Sequence, residues 1–418
     1  MGYGHRDRRL VRLTARPAGA PLALLASLYL SQGLPYGFFV QALPVMLRES
    51  GRSLPEIGAA SLLALPWGAK ALWAPLVDRF GSARFGRRRS WIVPCQLGAA
   101  ALMAALGMLP AGDALGAVLA GFLLANLLAA TQDIATDALA VTLLPPGLRG
   151  IGNGLQVAGY RVGMVIGGGA LLAAWPVLGW AGVFFSMAAL LALATLPVLL
   201  VDEPPPPPRA VAARPPGLVH TLRRPGMARW LGALAAAKAG EALAGGMVRP
   251  FLLDQGLSVA QLGLATGTIG AAAGLAGALL GGVLVGLTGR LPALIALGLA
   301  QALTVGAWAA LPGAPVPVLL AAVGLEHLVG GMFTVALFTR MMDACRPASA
   351  GTDYTLQASV VVLATGAAAA LSGFSAQALG YPGHFALAGL LCLAGLGALP
   401  WLAGVPGERA VTPSAPPE

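Results

Sequence analysis

Charge is scarce in this chain. Of its 418 residues only 10% are Asp, Glu, Lys or Arg, too few to cover a water-soluble globule of that length with polar surface. Three cysteines, Cys95, Cys345 and Cys392, stand far apart without CxxC spacing, which excludes a disulfide framework, a zinc knuckle or an iron–sulfur site. They read as small apolar fillers. Histidine is rarer than charge, with four copies. The strings "HLVGG" at His327 and "HFALA" at His384 offer neither HExxH nor a Ser/His pairing, so the chain reads as a non-enzyme without metal or cofactor. "GMVIGGG" (Gly163 to Gly169) follows no strand and reads as a helix-packing surface, not a phosphate loop.

What the chain has in excess is apolar length. Hydrophobic residues make up 57% and the mean hydropathy is +0.78. Runs of about 20 residues, each long enough to span a bilayer, fall near 21 to 45, 57 to 77, 90 to 110, 115 to 143, 150 to 173, 178 to 200, 229 to 252, 260 to 287, 291 to 312, 315 to 340, 352 to 378 and 383 to 404. The expected fold class is an all-α membrane protein of twelve helices. The first run follows an Arg-rich stretch but continues as a long Gly- and Pro-containing helix, and reads as a retained span, not a signal peptide.

The net charge of +10 is an orientation signal. With the N-terminus cytoplasmic, alternate loops collect 20 of the 26 Lys and Arg residues, among them Arg79, Arg84, Arg87, Arg88, Arg89, Arg149, Arg290 and Arg346. Only Arg48, Arg52 and Arg249 fall in the opposite loops. Both termini are therefore expected in the cytoplasm, which requires an even number of spans. Nucleic acid is not needed to explain the basic balance.

Residues 202 to 228 form the one long polar segment, and its run of five consecutive prolines can be neither buried helix nor strand. They divide the chain into an N-terminal basic segment (1–20), a first six-helix half (21–201), a cytoplasmic linker (202–228), a second half (229–404) and a tail (405–418). The halves echo each other. "GRSLPEIG" (Gly51 to Gly58) matches "GLSVAQLG" (Gly256 to Gly263), and "RGIGNGLQ" (Arg149 to Gln156) matches "AGTDYTLQ" (Ala350 to Gln357), at nearly equal offsets. Parallel repeats of six helices organise major facilitator transporters, with the substrate site between the halves near the midplane.

Intramembrane polar residues are costly and so mark candidate sites. Asn126, Asp133 and Asp137 share one face of the fourth span at i, i+7 and i+11. Asp133 and Arg161 of the fifth span lie at similar depth, about 16 Å into the membrane, and are expected partners. Their pairing reads either as a static bridge or as a switch that trades Arg161 for a proton or an anionic substrate group. Asp137 is expected within reach of the loop arginines. Lys238 and Glu241 in the seventh span are neutralising neighbours or binding groups. Glu326 and His327 in the tenth suit a proton relay, a substrate contact or an inter-helix bridge. Lys70 is expected to snorkel toward the cytoplasmic end. Gln32 and Tyr36 share a face of the proline-kinked first span, with Gln41 further along, as a ligand wall or inter-helix bonds. In the loop after the second span, Asp78 paired with Arg79 is expected to lock one half against the other. The cluster Arg87, Arg88, Arg89 reads as gate or headgroup anchor.

Taken together, "LYLSQGLPYGFF", "LPWGAKALWAPLVDR", "GRRRSW" and "ATQDIATDALAV" resemble the major facilitator branch of muropeptide permeases and acetyl-coenzyme A transporters, closest to its siderophore permeases of the rhizobactin and pyochelin type. The likeness covers mainly residues 28 to 170. It implies proton-driven import across a bacterial inner membrane, with Asp133 and Asp137 in the fourth span and Asp78 and Arg79 in the loop implicated; a monomer is expected. The sequence departs from muropeptide permeases in carrying no extra C-terminal spans. A siderophore or similar peptide-like solute is therefore the expected cargo. Muropeptide import, drug efflux and a non-transporting receptor are the alternatives.

Overall fold

The computed structural model describes residues 19–43, 61–82, 84–109, 115–201, 203 and 216–398. The repeat copy at Gly51 to Gly58, the linker's proline run, residues 1–18 and the tail lie outside them. Among the described residues every regular element is helical apart from one isolated bridge, Ser82 to Gly86. A helix satisfies its backbone polar groups within itself, the condition that lipid imposes on any spanning segment.

The first half begins with α1 (Gly19–Gly37), which continues as a π-turn over Phe38–Ala42. The second span is broken. A 3-10 turn at Ser61–Ala64 leads into α2 (Leu65–Ala69), Lys70–Leu72 form another 3-10 turn, and α3 (Ala74–Arg79) completes the crossing. Pro66 and Pro75 open the two α segments, where their missing N–H groups cost least. Then follow α4 (Arg89–Gly107), α5 (Leu115–Leu143), α6 (Arg149–Met164) with a π-turn at Val165–Ala170, and α7 (Leu171–Leu200).

A short α8 (Leu218–Leu222) precedes the second half. That half comprises α9 (Met227–Asp254), α10 (Val259–Leu262) joined by a π-turn to α11 (Gly270–Thr288), α12 (Arg290–Ala307), α13 (Val316–Asp343) and α14 (Ala350–Ala398).

Among the described residues, eight helical runs are long and apolar enough to cross a membrane. Two of them, Pro146–Leu200 and Pro347–Ala398, hold 55 and 52 residues, roughly 80 Å each as single helices, far beyond a hydrocarbon core of about 30 Å. Each is instead two crossings, turned at Gly179 (φ 62°) and Gly380 (φ 65°), a backbone region in which glycine has no steric penalty. The charged α9 and the broken 61–79 run add two more. The arrangement is consistent with twelve crossings in two sets of six.

Large apolar side chains such as Leu72, Val177, Leu200, Leu287 and Phe374 cover the outside, as a lipid-facing surface requires. Inside, Phe38, Phe122 and Phe184 centre a core of the first half, and Phe251, Trp308 and Phe385 one of the second. A third cluster joins the halves, with Tyr29, Val141 and Leu144 packed among Met227, Phe333, Met341, Met342 and Tyr354. The glycine-rich stretch of α6 packs against α1, where a Cβ on Gly163 would run into the Leu30 carbonyl. That is the helix-packing role expected of it.

Candidate functional site

A cavity of about 840 Å³ lies between the halves, above the joining core. Gln32, Tyr160, Trp67, Lys70 and Asp133 line it from the first half, and Thr266, His327, Thr334 and Tyr354 from the second. It extends toward exposed Val40, Gln41 and Arg249, at the end away from the loop arginines.

The first-half wall is built on α5 and the broken second span. Lys70 stands on the 3-10 turn, and the break turns its side chain inward, where it forms an ion pair with Asp133. The ammonium does not snorkel. Both groups are buried, with Lys70 only 3% exposed, so each depends on the other to offset its desolvation. This pairing overturns the expected Asp133–Arg161 bridge. The inward-turned segment brings the lysine to Asp133 first.

Asp137, one turn along α5, was expected to meet loop arginines. Instead it accepts a hydrogen bond from the Tyr29 hydroxyl at 2.7 Å and a longer one from Gln156 Nε2 at 3.4 Å. Lys70 thus contacts Asp133 alone, and Asp137 has only neutral donors. Trp67 donates from Nε1 to Asn126 Oδ1 at 2.9 Å and lies 5.4 Å beneath the Lys70 ammonium. Tyr36 packs against the rings of Trp67 and Tyr160, each at 5.7 Å. Gln32 is buried with its amide nitrogen unpartnered.

On the second-half side, Lys238 Nζ meets Glu241 Oε2 at 2.5 Å and Thr334 Oγ1 at 3.1 Å. His327 Nδ1 lies 3.3 Å from Glu326 Oε2 and donates to the Val323 carbonyl at 2.9 Å. Glu326 therefore does have a close neighbour, its own sequence partner. Arg161 reaches across from α6 into the field of Glu241 and Glu326.

The arginine-rich end is closed. Asp78, fully buried, pairs with Arg88 at 2.8 Å and accepts from Thr352 N and Oγ1, both at 2.6 Å, and from Gly351 N at 3.2 Å. A carboxylate of the first half thereby caps the first turn of α14 in the second. Arg79, its expected partner, instead lies over the Phe80 ring, because the chain turns extended after α3 and carries its side chain away. Arg87 donates to the Asp78 carbonyl. Burial, and then Arg88 beside it, pulls the Arg87 guanidinium below its ordinary pKa. A second closure joins Arg149 to Asp343 at 2.7 Å, with Arg290 on the same carboxylate.

Sequence reasoning missed Tyr29, Trp67 and Gln156. A signal existed for each: Tyr29 precedes Gln32 and Tyr36 by three and seven residues, Trp67 precedes Lys70 by three, and Gln156 precedes Tyr160 by four. All are spacings that share a helical face.

The sequence and the fold have counterparts among known proteins. A family model described as acetyl-coenzyme A transporter 1 matches residues 21–120. The chain is 30% identical over 379 residues to the anhydromuropeptide permease of Escherichia coli (strain K12), covering 89% of this chain and 77% of that protein. It is 27% identical over 386 residues to the putative transporter AmpG 4 of Rickettsia conorii, covering 88% and 93%. Among solved structures, the human organic anion transporter MFSD10 superposes with a TM-score of 0.70 at 17% identity, over 92% of this chain and all of that one. The E. coli fucose:proton symporter FucP does so at 0.70 and 14%, over 91% and 98%. At such identities these two establish the fold alone.

Proposed function

Since the chain belongs to the anhydromuropeptide permease family of major facilitator transporters, we propose that it imports an anhydromuropeptide or a close sugar–peptide relative across a bacterial inner membrane, driven by protons. The observation that carries this reading is the cavity between the halves, with a buried ion pair and a second carboxylate in its wall. An anhydromuropeptide offers a sugar ring, amides and carboxylates. The rings of Trp67 and Tyr160, backed by Tyr36, suit the sugar face, Gln32 suits an amide, and the cavity's cations suit carboxylates.

Placing the arginine-rich end in the cytoplasm follows the positive-inside rule. The cavity then accepts solute from outside while Asp78 and Asp343 hold the inner end shut. Asp137 takes the proton, since it is the carboxylate without a contacting cation, and the Lys70–Asp133 pair keeps the first-half wall in place as the halves rock. Anhydromuropeptide takes precedence over the expected siderophore because the relatives that carry that name align along most of the chain, whereas the siderophore likeness covers mainly the first half.

The test is uptake into proteoliposomes of labelled anhydromuropeptide and, in parallel, a labelled ferric siderophore, with and without an imposed proton gradient. Gradient-dependent uptake of the muropeptide alone is expected. Uptake of the siderophore alone would replace the cargo, and uptake indifferent to the gradient would sink the proton coupling.

A further inference from the structure

Arg161, half-buried, differs from the two buried lysines, Lys70 and Lys238. Lys70 holds Asp133, and Lys238 holds Glu241. Arg161 lines the same cavity, yet among the described residues no carboxylate lies within the 4.0 Å of an ion pair. Glu241 and Glu326 reach it only as more distant charges, and each already has a nearer partner in Lys238 and His327.

The seat of the guanidinium is built for it. Arg161 projects from α6 of the first half onto α11 of the second, where it fills the space that a Cβ on Gly274 would take. One turn along α11, Gly270 gives similar room to the His327 ring, 3.0 Å from where its Cβ would stand. Gln32 adds a further donor without a partner in the cavity wall. A guanidinium held in place but lacking a contacting anion is preorganised to take one, and its planar fork matches a carboxylate bidentately.

We propose that Arg161, seated over Gly274, is the receptor for a carboxylate of the transported solute. The carboxylate is thereby bound where the two halves meet, because the arginine comes from one and rests on the other. This inference rests on the anhydromuropeptide reading and adds the part of the solute that the protein recognises. Charge-assisted bonds to one such group correspond to roughly a 10-fold to 100-fold change in affinity.

The experiment is calorimetric titration of the detergent-purified full chain with two probes, an anhydromuropeptide with free carboxylates and the same molecule with those groups amidated. The wild type is expected to prefer the acid at least about tenfold. Arg161→Gln should abolish that preference while binding the amide as before, and Arg161→Lys should recover part of it. If Arg161→Gln elutes aggregated from a sizing column, Gly274→Ala makes the same test by displacing the guanidinium without removing its charge. Equal binding of both probes by the wild type, or an undiminished acid preference in Arg161→Gln or Gly274→Ala, overturns the receptor. A wild type that binds neither probe overturns the anhydromuropeptide reading, and the receptor with it.

Discussion

Lys70 and Asp133 are ion-paired in the wall of the cavity, each buried, one on the broken second span and the other on α5. Removing one partner strands the other charge, at a cost of about 3–5 kcal/mol, whereas replacing both with neutral isosteres is close to neutral. Lys70→Gln and Asp133→Asn should each lower the unfolding temperature in detergent, and the double variant should recover most of the loss. All three should fail to accumulate solute. A double variant that transports at the wild-type rate would reduce the pair to scaffolding.

Asp137→Asn keeps the size of the side chain and its capacity to accept from Tyr29. Its effect on stability should therefore be under about 1 kcal/mol, the scale of one hydrogen bond. If Asp137 carries the proton, this variant loses gradient-driven accumulation but still exchanges labelled for unlabelled solute across a vesicle with no gradient. Loss of both activities together would place Asp137 in solute binding instead.

How far the sequence foretold these contacts depended on range. Spans, halves and buried polar positions were legible because hydropathy and helical spacing are local properties. Partner choice was not. Depth counting along two helices placed Asp133 level with Arg161, but it carries no information on how helices rotate about their axes, nor on the break that turns Lys70 inward. The lock was half legible for the same reason: Asp78 announced itself as a carboxylate at a helix end, while its partners Gly351 and Thr352 lie more than 270 residues away in sequence. Arg88 could not be told from Arg87 or Arg79 without the fold of the loop.

Asp78 touches the second half through three hydrogen bonds, each to the first turn of α14. Asp78→Asn removes the charge that the helix terminus and Arg88 both favour, leaving a buried arginine without its anion. The closed state should lose several kcal/mol relative to the open one, enough to shift a closed population toward parity or beyond. Spin labels on cysteines placed at exposed Pro146 and Pro347, one in each half, should then report longer separations by pulsed electron resonance. Thr352→Val, which removes one donor and leaves two, should lengthen them less. Unchanged distances in Asp78→Asn would mean that the halves are held shut elsewhere.

The other closure is weaker in kind. Asp343 bridges Arg149 of the first half and Arg290 of the second, but the Arg290 side chain is 30% exposed and that of Asp343 13%, so solvent screens what is nearly absent around Asp78. Asp343→Ala should open the same label pair only modestly, by an amount that raised salt reproduces in the wild type. The Asp78 variant should respond little to salt at its own site. Because both contacts bias a single opening of two rigid halves, their free energies should add in the double variant, and its opening should exceed that of either alone. A double variant no more open than Asp78→Asn would show that the Arg149–Asp343–Arg290 bridge contributes nothing once the α14 contact is broken.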